Sequence, residues 1–242
     1  MVTGASGGLG RAISLRLAEA GCDVAALYLT DRDSAAQVVR DVTAVGVRGM
    51  AVAADIAETD AVESAVGQVV AAWGRIDVLV CNAATFSRSS IIETSDEEFE
   101  RTFAVNVKGV FNFLRAVLPI MMEQRGGRIV TISSHNAKRG TGISSKATYA
   151  ATKSAVESYT RGAAVEAAPY NITVNCVSPG WTPKDPLPAV PTDFQRTLLD
   201  GIPLHRPGSP VEIGAAVAFL ASEEAGYITG ETLDVNGGTW MD

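Results

Sequence analysis

This chain of 242 residues predicts an α/β fold: a doubly wound sheet of about seven parallel strands, with helices on both faces. Three observations carry that prediction. Apolar runs of strand length alternate with helical stretches along the chain, the runs are continuously apolar, and a glycine-rich loop near the beginning feeds directly into a helix. Strands that do not alternate in and out belong to a sheet covered on both sides, the outcome of parallel βαβ crossovers.

The loop is TGASGGLG (3–10), half of it glycine. Glycine loses more freedom on ordering than any other residue, so this density marks a place where Cβ atoms would meet a tight turn or a closely approaching ligand. LGRAISLRLAEAG (9–21) then reads as a helix, with Leu9, Ile13, Leu17 and Ala20 on one face and a stop at Gly21. The first amides of a helix have no partner, and they sit at the positive end of its dipole. Loop and helix together therefore suit an anion, with a dinucleotide pyrophosphate the leading candidate and an ordinary glycine-rich turn the alternative.

The remaining elements follow in order. CDVAALYL (22–29) is a strand, followed by a helix from about 33 to 45; GMAVAAD (49–55) precedes a helix through Val62, Val66, Val69 and Trp73. IDVLVCN (76–82) leads into a long helical region from about 96 to 122, and RIVTISS (128–134) into a helix from about 148 to 168. ITVNCVSP (172–179), a helix opening at Pro210, and ETLDVNGG (231–238) complete the series. In such a sheet the glycine-rich loop follows the first, central strand, yet only Met1 and Val2 precede it. The first strand is thus expected to be truncated, with more apolar residues upstream in the native protein, each contributing about 1.5–3 kcal/mol on burial.

No Pro/Gly/Ser linker or charge block divides the chain, so residues 1–242 are expected to form a single domain. The hydrophobic fraction is 47% against 19% charged residues, as in compact proteins. A net charge of −7 repels nucleic acid and anionic lipid, and no basic patch offsets it, so neither is expected as a partner. There is no charged region followed by an apolar signal core and no apolar run near the ~18 residues of a membrane span, which makes a cytoplasmic location the expectation. Cys22, Cys81 and Cys176 are odd in number and lack CxxC spacing; they read as small buried thiols, with no disulfide and no metal site.

Ligands of doubly wound sheets bind outside the carboxyl ends of the strands. RIVTISSHN ends with Ser133 and Ser134, and the helix that follows opens with YAATK, which puts Tyr149 and Lys153 four residues apart on one helical face. An ammonium beside a phenol favours phenolate and would lower the tyrosine pKa from about 10. The pair can serve as an acid/base unit. Taken alone, the same spacing also describes an amphipathic surface pair.

These segments together resemble the short-chain dehydrogenase/reductase family, in its single-domain type with a TGxxxGxG loop. The resemblance covers TGASGGLG (3–10), the Ala54 and Asp55 pair, CNAA (81–84), NVKGVFN (106–112), ISS (132–134), YAATK (149–153), NCVSPG (175–180), RPGSPVEIGAAVAFLAS (206–222) and YITGETLDVNGG (227–238). The closing segments look most like the 3-oxoacyl-acyl-carrier-protein reductase branch. The resemblance implies a Rossmann-type sheet and an NAD(P)-dependent oxidoreductase acting on a carbonyl or secondary alcohol. It implies that Tyr149 is proton donor or acceptor, that Lys153 lowers the phenol pKa and binds the nicotinamide ribose, that Ser134 bonds the substrate oxygen, and that Asn106 holds a relay water. For the cofactor it implies Thr3, Gly4, Ser6, Gly8, Leu9 and Gly10 in the loop, Tyr28 and Thr30 at the adenosine ribose, Asp55 and Ile56 at adenine, Asn82, Ala83 and Ala84 beside the ribose, and Tyr149, Lys153, Pro179, Gly180 and Thr182 around nicotinamide.

Departures from the family pattern are local. Cys81 and Ala84 replace an Asn and a Gly, the connection from Ser134 to Tyr149 is about two residues long in excess, and Thr182 follows PGW in a displaced position. Where an Asp or Glu would accept from a free ribose 2′-OH stands Tyr28, which favours NADP(H) over NAD(H), with Thr30 and Arg32 near the phosphate; neither Gly7 nor Leu29 supplies a cation. A hydrolase built on Ser134 and His135 is excluded by the lack of a GxSxG elbow; His135 is expected near the pocket and His205 in solvent. The Pro-rich stretch 183–194 matches the family's variable substrate loop and is expected to be mobile. The resemblance also implies a homo-oligomer, tetramer or dimer, through the long helices. A catalytically silent cofactor-binding regulator is the competing class, and a nucleotide-sugar epimerase is disfavoured by chain length.

Overall fold

The computed structural model describes residues 1–140, 147–183 and 192–241. Most of the Pro-rich stretch and the middle of the connection from Ser134 to Tyr149 therefore lie outside the described residues. The strands are β1 (Val24–Tyr28), β2 (Gly49–Ala53), β3 (Val78–Cys81), β4 (Gly127–Ile132), β5 (Ile172–Pro179) and β6 (Thr232–Val235). All pairings among them are parallel, β1 with β2 on one side and β3-β4-β5-β6 in order on the other. Val2 joins the two halves, bridging in parallel to Ala26 and to Val80. Its amide donates to Ala25 and its carbonyl accepts from Leu27, while Thr3 donates to Val80. Met1 also joins the ladder, donating from its amino group to the Val78 carbonyl and accepting from the Val80 amide, so the central position is filled by the short buried segment 1–3.

The helices are α1 (Gly8–Glu19), α2 (Arg32–Val45), α3 (Thr59–Trp73), α4 (Asp96–Phe103), α5 (Gly109–Gln124), α6 (Asn136–Arg139), α7 (Ala147–Ala167), α8 (Asp193–Asp200) and α9 (Pro210–Leu220). Strand pleating sends alternate side chains to opposite faces. In β1, Ala25 and Leu27 join the cluster formed with Val62, Val66, Phe113 and Met121 of α3 and α5, while Val24 and Ala26 join Ile13, Leu17, Val38 and Ile213 of α1, α2 and α9. Residues of the central strands β1, β4 and β5 are mostly buried on whichever face they meet, which is why these runs read as continuously apolar, whereas β2 and β6 are more exposed.

Caps delimit several helices. Asp31 accepts from Ser34 at the start of α2, Ser95 from Glu98 at α4, and Ser209 with Glu212 forms a reciprocal box ahead of Pro210 at α9. The long region expected from about 96 to 122 is α4 and α5 joined by one π turn, Ala104–Lys108. The four-residue α6 is too short to be read from sequence, whereas α8 is amphipathic and opens on a Thr192/Gln195 capping box, signals that the reading of 183–194 as a loop passed over. Phe113, 1% exposed, is among the largest buried side chains. Phe113→Ala is expected to cost about 3–5 kcal/mol of stability, measured by urea unfolding; a loss below about 1 kcal/mol would contradict this packing.

Candidate active site

The carboxyl ends of the strands open into one cleft of about 1210 Å³. Single small-ligand pockets run to about 1,000 Å³, so the cleft has room for a cofactor and a second molecule. Gly4, Ser6, Gly8, Leu9 and Gly10 line one end, followed by Tyr28, Thr30, Asp55, Ile56, Asn82, Ala83 and Ala84. Ser134, Tyr149, Lys153, Pro179, Gly180 and Thr182 line the other end. Residues predicted from seven separate segments are thereby brought to one surface.

Thr3 does not line it. The residue is 1% exposed, and its Oγ1 accepts from the amides of Asn82 and Ala83 at 2.9 Å each. Asn82 returns the contact, donating from Nδ2 to the Thr3 and Gly4 carbonyls. Thr3 is a correction to the expected cofactor contacts: it ties the loop to the end of β3 from beneath. Arg32 likewise does not line the cleft, because it has already entered α2.

The loop is bare for reasons of space. Gly4 adopts φ +62, and a Cβ on Gly10 would lie 2.2 Å from the Gly4 carbonyl oxygen and 2.8 Å from Ala5 Cα. The turn therefore closes only around glycine. No side chain caps α1, whose N-cap is Gly7, and no acidic residue stands in its first turn. An anion is the partner such an end accepts.

At the other end Tyr149, Lys153 and Ser134 are 4%, 3% and 8% exposed. The Ser134 side chain stands close enough to the phenol to favour its ionised form. Lys153 Nζ donates to the Ile132 carbonyl at 2.7 Å and lies 5.7 Å from the centre of the Tyr149 ring. Burial, only partly opposed by the Ser134 side chain, pushes the phenol above its ordinary range. The expectation that the ammonium lowers it is corrected: Lys153 is turned to the strand end, and burial pulls its own pKa down to about 8. Desolvation disfavours the charged form of both groups.

Asn106 sits in the π turn, 1% exposed, a type of irregularity often found at functional sites. Its Oδ1 accepts from the Thr85 amide at 2.8 Å, and its Nδ2 donates to the Thr85 carbonyl at 2.9 Å and to Thr152 Oγ1 at 3.0 Å. The side chain expected to hold a water is engaged in fixing the chain after β3 to α7. His135 faces the cleft, and its Nδ1 stands 3.1 Å from the Pro179 carbonyl, so Nδ1 carries the proton. His205 is exposed. Cys81 and Cys176 are buried, with thiols pushed up to about 12 and about 11 by desolvation, whereas Cys22 is only half-buried, contrary to expectation.

Sequence reasoning passed over Phe86, whose ring stacks on Tyr149 with centroids 4.5 Å apart. Trp181, Phe194 and Leu198 add apolar wall, and Arg88, Arg101 and Arg139 add charge. Arg101 pairs with Asp55 at 3.3 Å, and Asp55 Oδ1 accepts from the Ala57 amide. A loop aromatic has no periodicity to betray it; only the fold brings it to the tyrosine.

Comparison with known proteins identifies the family of the whole chain. A family model described as enoyl-(acyl carrier protein) reductase matches residues 4–239. The chain is 41% identical to a 3-oxoacyl-[acyl-carrier-protein] reductase FabG of Staphylococcus epidermidis, over 100% of this chain and 98% of that protein. It belongs to the short-chain dehydrogenase/reductase family. FabG of Escherichia coli is 38% identical over 100% of this chain and 96% of its own. The crystal structure of an NAD+-bound xylitol dehydrogenase superposes with a TM-score of 0.91 and 32% identity, covering 98% of this chain and 96% of the other. This short-chain dehydrogenase/reductase is therefore an NAD(P)-dependent oxidoreductase acting on carbonyl or alcohol groups, with a Rossmann-like fold. Among the described residues one helical stretch, Asp96–Gln124, is long and apolar enough to cross a membrane, and half of its apolar window is buried, as in a core helix.

The loop geometry generates a test. Gly10→Ala is expected to lower stability by about 1–3 kcal/mol and weaken NAD(P)H binding about tenfold or more, by thermal unfolding and fluorescence titration. Gly67→Ala, with nothing within 4 Å of its new methyl, serves as the control and should leave binding unchanged. Wild-type affinity in Gly10→Ala would refute the cradle.

Proposed function

We propose that this chain is a single-domain carbonyl reductase in which Tyr149 is the general acid, running as an alcohol dehydrogenase in reverse. The observation that carries the reading is the juxtaposition of buried Ser134, Tyr149 and Lys153 along a cleft that the bare loop of α1 also lines. The nicotinamide cofactor, when bound, supplies or accepts the hydride. Negative charge then develops on the carbonyl oxygen, and a hydroxyl from Ser134 and a proton from Tyr149 meet it.

Lys153, on the same face as Tyr149, is proposed to bind the nicotinamide ribose and to supply positive potential while charged. Its hydrogen bond to Ile132 holds the head in place. Asn106 is proposed to act through position, by holding Thr85 and Thr152. NADP(H) is the proposed cofactor. Tyr28 leaves the β1 end without a carboxylate, and the nearby Asp31 is engaged in capping α2 through Ser34 at 3.0 Å. The apolar wall of Phe86, Trp181, Phe194 and Leu198 suits a substrate with an acyl body, and 3-oxoacyl-[acyl-carrier-protein], named for the FabG relatives, is the first substrate to assay. A cytoplasmic homo-oligomer is proposed as well, with Phe99, Phe111 and Tyr159 exposed on the α4, α5 and α7 face.

Three measurements check this. Tyr149→Phe should lower kcat about 10²–10⁴-fold while NADPH still binds; unchanged turnover rejects the assignment. Lys153 is charged below about pH 8 and neutral above it, so kcat/KM for reduction should fall as pH rises through about 8. A profile flat to pH 10 would rule out that role for Lys153. Finally, NADPH should bind more tightly than NADH by fluorescence titration, and a preference for NADH would reverse the cofactor assignment.

A further inference from the structure

Glu157 is a buried carboxyl that the chemistry above does not use. It lies on α7 one turn beyond Lys153 and two beyond Tyr149, so the three share a helical face. The residue is 7% exposed. Burying a carboxyl is costly unless it is hydrogen-bonded, and an apolar residue would pack the same space at no such cost. Its bond is with Ser133, whose Oγ donates to Glu157 Oε1 at 2.7 Å. Ser133 is the immediate neighbour of Ser134, and its amide donates to the Val177 carbonyl of β5 at 2.8 Å. The segment carrying Ser134 is therefore held from the sheet by its backbone and from α7 by a side chain.

We infer that Glu157 is a positioning residue, which through Ser133 clamps the end of β4 against α7 and so sets the approach of Ser134 to Tyr149. Ser133 has one hydroxyl proton and two acceptors within reach, Glu157 Oε1 and the Lys153 carbonyl at 3.3 Å. A carboxylate takes that proton in a shorter, stronger bond than a neutral acceptor does. The clamp is thus strongest when Glu157 is ionised.

Charges from every side act on it. Lys138 of α6 and Arg161 of α7 favour ionisation, Asp234 of β6 opposes it, and the Cys176 thiol of β5 faces it. Lys138 itself bonds Asp234 at 2.7 Å, with side chains 14% and 18% exposed. Burial is the largest influence and raises the Glu157 pKa. Protonation on acidification therefore slackens the clamp at a higher pH than an ordinary glutamate would.

The inference rests on the reading of Tyr149 and Ser134 given above, and Tyr149→Phe tests that reading independently. Glu157→Leu should lower kcat about tenfold or more with NADPH affinity unchanged, because among the described residues the hydrogen bonds of Ser133 and Glu157 run to α7 and β5 and none to the α1 loop. Glu157→Gln, a neutral acceptor like the protonated carboxyl, should hold kcat at the level the wild type reaches at low pH and lose the acid limb of the kcat profile. Ser133→Ala should match Glu157→Leu, and the double variant should be no worse than the poorer single. The inference is overturned if Glu157→Leu keeps wild-type kcat, if Glu157→Gln keeps the acid limb, or if kcat, KM and NADPH affinity decline together in Glu157→Leu and Glu157→Gln alike. Should Glu157→Leu fail to fold, Ser133→Ala decides: full kcat in that variant overturns the assignment. An inactive Tyr149→Phe beside a fully active Glu157→Leu would discard the clamp alone.

Discussion

Lys153 donates to the carbonyl of Ile132, the last residue of β4, from an ammonium buried against the strand end. A cation in such a place persists only where its protons are hydrogen-bonded, so the head group cannot swing away without leaving both partners unsatisfied. The bond pins the first turns of α7 to β4. It thereby fixes Tyr149, one turn earlier, against Ser134, which follows the same strand. The relation that the proposed chemistry requires is a by-product of how one helix docks on one strand.

Burial that secures this geometry also governs its proton affinities. Desolvation raises the phenol and lowers the ammonium, so the pair starts from a protonated tyrosine and a lysine poised near pH 8. A group meant to give a proton to a developing alkoxide is better held as an acid than as a phenolate. At the opposite end of the cleft the same logic runs on amides. The chain is acidic as a whole, yet its uncapped α1 terminus, free of carboxylates, offers a local positive field where a phosphate can rest.

Strands and most helices were legible because their signals are local. Continuous apolar runs mark strands buried on both faces, and period and caps mark helices such as α2, α4 and α9. The central slot between β1 and β3, demanded by the loop's position, could be read as well, and residues 1–3 occupy it with Val2 bridging both neighbours. What escaped was set by distant partners. Thr3 turns from cleft to support because Asn82 and Ala83 arrive above it, and Asn106 becomes a clamp because Thr85 and Thr152 converge on it.

By itself the sequence determined the fold class, the glycine loop feeding a helix, and the spacing that puts Tyr149 and Lys153 on one face, since each depends on residues within a few turns of one another. Only the tertiary structure decided which way Lys153 points, that Phe86 lies on the tyrosine ring, and that Glu157 meets Ser133. Those outcomes depend on the separation between packed elements and on how much water that packing excludes, quantities that no short stretch of chain contains.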